Sequence, residues 1–112
     1  GFITSLEGLK LEPVPTISVN NFEKLNRPFV LDVRTASEYE AGHIETAKQL
    51  HVGRVVYKLS ELPKDETLIT HCQSGARATV AVSALRAAGY DALELGGSYA
   101  AYAKKRKEVV TA

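Results

Sequence analysis

Two short apolar runs, "PFVLDV" (28–33) and "ETLITHC" (66–72), constrain the fold of this chain more than any other feature. A strand with one face in water would alternate polar and apolar residues, and "FVL" and "LI" interrupt that pattern. Each run therefore reads as a strand buried on both faces, as in parallel sheets covered by helices. Helix patterns follow both. "RTASEYEAGHI" (34–44) carries a capping box in Thr35 and Glu38 and a stop at Gly42. "ARATVAVSALRAAGY" (76–90) puts Val80, Ala81, Ala84, Leu85 and Ala88 on one face, with Gly89 placed to end the helix. Strands alternating with helices predict an α/β domain with a mostly parallel sheet.

The remaining segments keep that rhythm. "TISV" (16–19) reads as a strand and "NNFEKL" (20–25) as a helix, with Asn20 as N-cap and Glu23 completing a capping box. "AKQLHV" (47–52) suggests a strand, "GRVVYKLSEL" (53–62) a short helix, "DALEL" (91–95) the last strand and "GGSYAAYAKKRKEV" (96–109) the last helix. Residues 1–15 end in Pro13 and Pro15, which disfavour helix and central strand, and read as a leading segment or linker before a domain of residues 16–112. The chain contains no methionine, which suits a processed product or a module of a longer polypeptide.

Composition excludes several classes of function. With 112 residues, 45% of them hydrophobic, the chain can bury one core without staples. A formal net charge of +1 gives no field for nucleic acid. The basic run Lys104–Lys107 reads as a solvated helix end. No stretch reaches the ~20 apolar residues of a membrane span, and no secretory signal opens the chain. His43, His51 and His71 lack the spacing of a zinc site, and one cysteine permits neither an internal disulfide nor a multi-cysteine metal site. A reducing, cytoplasmic setting is expected, without membrane or nucleic-acid partners.

That one cysteine, Cys72, ends the second buried strand, and ligands of such sheets sit outside the carboxyl ends of the strands. The turn that follows, "CQSGAR", suits a ring of main-chain N–H groups. Gly75 can take a positive φ, while Ser74 and Ala76 are small enough to let the backbone close around a bound atom. The helix start adds partial positive charge, which favours a thiolate. Arg77 adds a permanent charge and a planar fork for an anionic substrate. A small core residue is the alternative role for Cys72. His71 should face away from Cys72, because side chains alternate along a strand.

"CQSGAR" after a strand and before an alanine-rich helix resembles the active-site loop of rhodanese-like sulfurtransferases. "FVLDVRTASEYEAGHI" (29–44) is similar to the N-terminal signature of that family, with Asp32, Arg34, Glu38, Gly42, His43 and Ile44 in place. "LELGGSYAAY" resembles its C-terminal signature. Three motifs in order cover residues 16 to about 103. Departures are Glu45–Thr46 where the family often has Pro-Gly, Tyr102 for a common tryptophan, and Gln73 for a frequent arginine.

The resemblance implies a single rhodanese-like domain, with a central parallel sheet, helices on both faces and Cys72 at the switch point. It implies that the Cys72 thiolate takes a sulfane sulfur from thiosulfate or a low-molecular-weight persulfide and passes it to a thiol or cyanide. Gln73, Ser74, Gly75, Ala76 and Arg77 would bind the substrate, and no metal or organic cofactor would be needed. Asp32 and Arg34 read as a supporting ion pair that braces the loop, and Glu38 and His43 as scaffold.

A cysteine phosphatase is the nearest rival chemistry. Its loop needs one residue more between cysteine and arginine than the four of "QSGA". A sulfur carrier or accessory module, fused to or partnered with another enzyme such as a persulfide oxidiser, is the other alternative.

Overall fold

A computed structural model describes residues 14–111, with side chains to residue 106. All but Val14 and Pro15 of the expected leading segment lies outside the described residues. Five parallel strands form the sheet: β1 (Thr16–Ile17), β2 (Phe29–Asp32), β3 (Lys48–Gln49), β4 (Leu68–His71) and β5 (Ala92–Leu95). Their spatial order is β1-β5-β4-β2-β3. The two strongest apolar runs, β2 and β4, lie side by side in the interior, as strands buried on both faces must.

Four α-helices connect or follow the strands: α1 (Val19–Glu23), α2 (Ala36–Ala41), α3 (Ala76–Ala87) and α4 (Ser98–Thr111). Alternation along β2 and β4 divides the core. Leu31, Val33, Leu68 and Cys72 face α3, packing with Ala78, Ala81, Val82 and Leu85. Val30 and Ile69 point to the opposite face, where Phe22, Ile44, Tyr39, Tyr99 and Tyr102 close the second layer. Helices thus cover both faces of the central sheet.

Four local expectations change. Helix α1 is capped by Ser18, whose hydroxyl accepts the Asn21 N–H at 3.1 Å, and not by Asn20. Residues 53–62 form no α-helix. They give two 3₁₀ segments, Val52–Tyr57 and Leu59–Glu61, and the buried Val52 and Val55 stand three apart, the spacing at which side chains eclipse in the tighter helix. The buried residues of α3 are Ala78, Ala81, Val82 and Leu85. Of the expected face, Ala81 and Leu85 are among them, Val80 and Ala88 pack against the same core half-buried, and Ala84 is half-buried, so the contact extends to Ala78 and Val82. Finally, α4 continues to Thr111, so the basic run is not its last turn. Lys105 instead pairs with Glu23 at 2.8 Å, tying α4 to α1.

Two caps are as expected. Thr35 Oγ1 accepts the Glu38 N–H at 3.2 Å while Glu38 Oε1 accepts the Thr35 N–H at 3.0 Å. At the end of α3, Gly89 takes φ +91°, and the N–H groups of Gly89 and Tyr90 return to the carbonyls of Arg86 and Leu85.

Candidate active site

Chain direction places the site. From β2 the chain moves outward to β3, and from β4 it moves the other way to β5, so the order reverses between β2 and β4. A crevice opens at the carboxyl ends of strands flanking such a reversal. Cys72 lies there, one residue beyond β4, and α3 starts at Ala76.

The intervening turn folds back on the sulfur. The Gly75 N–H donates to Cys72 Sγ at 3.0 Å. Gly75 holds φ +126°, a conformation that L side chains rarely adopt and that aims this N–H at the thiol. Cys72 is only 1% exposed, whereas Gln73, Ser74 and Ala76 are exposed and Gly75 is half-buried. The loop is therefore the way to the sulfur.

The start of α4 holds the loop from the other side. Its first N–H groups would lack partners within the helix. The Tyr99 N–H donates to the Cys72 carbonyl at 2.9 Å and the Ala100 N–H to the Gln73 carbonyl at 3.0 Å. The fully buried Ser98 hydroxyl accepts the Cys72 N–H at 3.1 Å and lies 3.8 Å from Sγ. Ser98 and Tyr99 have no assigned role in the sequence reading. Their only signal there is their place within "LELGGSYAAY".

Asp32 and Arg34 form a buried ion pair. Arg34 Nη2 lies 2.7 Å from Asp32 Oδ2, and Nε donates to the same carboxylate. The guanidinium also donates to the Gly42 carbonyl at 2.7 Å and to Gln73 Oε1 at 3.1 Å. It stacks over the Tyr99 ring with Cζ 4.2 Å from the centroid. A charge this buried needs its partners, and these partners run from β2 to the loop and to α4.

His71 faces away from Cys72, directly across from Asp32 in the β2–β4 register. Its Nδ1 is 3.1 Å from the Cys72 carbonyl, which can only accept, so the proton resides on Nδ1. Nε2 lies 3.7 Å from Asp32 Oδ2 with no hydrogen-bond partner. Burial pushes the His71 pKa below its usual 6.5, against smaller opposing effects of the Cys72 carbonyl and Asp32.

Arg77, expected to present a free fork, is engaged. Its Nη1 and Nη2 donate to Glu38 Oε1 and Oε2 at 2.7 and 2.9 Å, across 39 residues of sequence. This pairing, with the Thr35 N–H, holds the Glu38 pKa at about 2. His43 stands apart, stacked on Tyr39 with ring centroids 3.7 Å apart. A depression of about 210 Å³ adjoins the loop, lined by Arg34, Glu38, Ala41, Gly42, Gln73 and Tyr99.

Fold and loop together define a parallel α/β domain with a cysteine at the switch point, its sulfur met by the Gly75 main-chain N–H. The chain belongs to the rhodanese-like domain family, whose model matches residues 18–105. It is 35% identical over 82 residues to a sulfurtransferase of Allochromatium vinosum, covering 72% of this chain and 77% of that one. Thiosulfate sulfurtransferase 18 of Arabidopsis thaliana is 36% identical over 111 residues, covering 83% and 81%. A rhodanese-like domain protein of Staphylococcus aureus superposes with a TM-score of 0.75 at 26% identity, covering 80% of this chain and 91% of that structure. Elsewhere the match spans 20% of a longer relative. Among the described residues, no helix is long and apolar enough to cross a membrane.

Proposed function

We propose that the protein is a sulfurtransferase acting through a persulfide on Cys72. The Cys72 thiolate attacks the outer sulfur of thiosulfate or of a low-molecular-weight persulfide. A new S–S bond forms to Cys72, the old one breaks, and its electron pair leaves with sulfite or with the donor's thiolate. An acceptor thiol or cyanide then attacks the terminal sulfur and releases the Cys72 thiolate as leaving group. Electrons balance within the two exchanges, so neither oxidant nor metal enters.

The observation that carries this reading is the Gly75 N–H on Cys72 Sγ at 3.0 Å, at the entry to α3. Donors that meet a thiolate also meet an anionic persulfide, and their fixed geometry costs no reorganisation during transfer. The backbone from Gln73 to Arg77 forms the cradle in this proposal, with Asp32 and Arg34 bracing it through Gln73. A reducing compartment, the cytoplasm in our reading, would keep the thiol available.

Four residues between Cys72 and Arg77 also favour a sulfur-sized cradle over a phosphate-sized one. A carrier role, passing sulfur to a partner domain, is the second reading, and it is favoured by the longer relatives that the match spans only in part. Mass measurement of the intact, reduced protein tests the central step. After thiosulfate or glutathione persulfide, the protein should gain the mass of one sulfur atom on Cys72 and lose it on adding cyanide. A folded protein that takes sulfur from neither donor would overturn the proposal.

A further inference from the structure

Among the described residues, the two arginines at the loop, Arg34 and Arg77, are each paired with a carboxylate. Arg34 is 2% exposed, and its donors are committed to Asp32, the Gly42 carbonyl and Gln73. Arg77, about one-third exposed, commits both terminal nitrogens to Glu38. Two guanidinium groups thus stand against two carboxylates. The loop residues themselves, Gln73, Ser74, Gly75 and Ala76, carry no charge. An incoming dianion meets main-chain N–H groups and an arginine whose fork is already filled.

Glu38 is placed to control this. It belongs to the first turn of α2, where its carboxylate accepts the Thr35 N–H as well as Arg77. The capping box therefore fixes the carboxylate from behind while Arg77 takes its front. Glu38 also lines the depression beside Gln73, so its charge stands at a cavity adjoining the loop.

Resting on the sulfurtransferase reading, we infer that Glu38 is a specificity-determining residue: by holding Arg77 in a two-pronged pair, it biases sulfur loading against compact dianionic donors such as thiosulfate and towards donors of lower charge. Coulomb attraction from Arg77 is offset by a carboxylate within hydrogen-bond distance, and an oxyanion must displace that carboxylate to gain the planar fork. A monoanionic donor loses less by meeting a neutral rim.

Glu38→Gln isolates the charge, because glutamine can also close a capping box. The probes are thiosulfate, a dianion, and benzenethiosulfonate, a monoanion that delivers the same outer sulfur and releases a sulfinate. With Arg77 released, kcat/KM for thiosulfate should rise about tenfold, the order expected for one charge-assisted contact at a partly exposed site, and the rise for benzenethiosulfonate should be smaller. Added salt should shrink the difference. The gain should vanish in the Glu38→Gln/Arg77→Gln double variant, because it depends on the freed guanidinium.

Equal changes with both donors, or a loss with both in a folded Glu38→Gln protein, would overturn the inference and leave Glu38 a brace. Intact mass separates this from failure of the parent reading. If the unaltered chain loads sulfur on Cys72 while the donor ratio of Glu38→Gln is unchanged, only the specificity role fails. If the unaltered chain loads no sulfur from these donors or from glutathione persulfide, both fail.

Discussion

The hydroxyl of Ser98 accepts the main-chain N–H of Cys72 at 3.1 Å and stands 3.8 Å from its sulfur. One residue at the start of α4 thereby satisfies a buried donor at the end of the central strand. The position is demanding, since Ser98 holds φ +55°.

Ser98→Ala should leave that N–H without a partner and lower stability by about 1–3 kcal/mol, the cost of an unsatisfied buried group. Urea unfolding measures it. A Ser98→Ala protein as stable as the unaltered chain would mean that the hydroxyl contributes nothing to the hold on Cys72.

Asp32 carries a larger share. Asp32→Ala strands the Arg34 guanidinium in a site where it is 2% exposed, and breaking such a pair from one side costs about 3–5 kcal/mol. Replacing both residues by leucine should cost less than Asp32→Ala alone, because no charge remains buried. A double variant weaker than the single one would show that the pair is a net source of stability and not merely self-compensating.

Two acid-sensitive windows follow from the shifted groups. Glu38 titrates at about 2 when folded against an ordinary 4.5, so the unfolded chain takes up its proton first as pH falls. Its contribution is complete above 4.5 and is lost as pH falls through about 2. His71 is also depressed, from 6.5, by burial. Its neutral form is the folded one, so stability drops as pH falls below 6.5, where only the unfolded chain gains the proton. Glu38→Gln should flatten the lower window and leave the upper one in place. Thermal unfolding across pH 2–7 reads both, and an unchanged slope between 4.5 and 2 in Glu38→Gln would refute the lower assignment.

Gly75 offers a conformational test with little steric interference. A Cβ there would meet no atom within 4 Å, so any cost of Gly75→Ala comes from the φ of +126°. Strain of this kind costs about 1–3 kcal/mol, and the loop can relieve it only by turning the Gly75 N–H away from the sulfur. Persulfide loading should fall by at least about tenfold for each 1.4 kcal/mol of lost stabilisation. Normal loading by Gly75→Ala would show that this N–H is not what holds the transferred sulfur.

What the sequence revealed was mostly local. The interior strands announced themselves because both faces are apolar, and the Thr35–Glu38 cap because its two partners are three residues apart. The loop was legible because Cys72, Gly75 and the start of α3 are also neighbours in sequence. Contacts across the fold were not. Nothing near Arg77 indicates Glu38, which reaches it only because β2 and β4 are adjacent. Ser98 hid in the same way, since its partner is 26 residues upstream. The face of α3 was legible in part: Ala81 and Leu85 are buried, but Ala78 and Val82 were missed because a helix rich in alanine offers little contrast to mark the edge of its buried stripe.

The proposed chemistry rests on Cys72, and its replacement by serine is the sharpest comparison. The two side chains differ mainly at one atom, and Cys72 is 1% exposed in a core that includes Val33, Ala78 and Val82. A serine hydroxyl there could still accept the Gly75 N–H, so Cys72→Ser should fold, with a circular dichroism spectrum like that of the unaltered chain. It should not transfer sulfur. A hydroxyl keeps its proton at neutral pH and cannot act as the nucleophile or leaving group that each exchange requires. Since Cys72 is the chain's only cysteine, no second thiol can take its place. Turnover of thiosulfate with cyanide, followed as thiocyanate, should fall to the uncatalysed rate. Turnover well above that rate by folded Cys72→Ser protein would remove the persulfide from the mechanism.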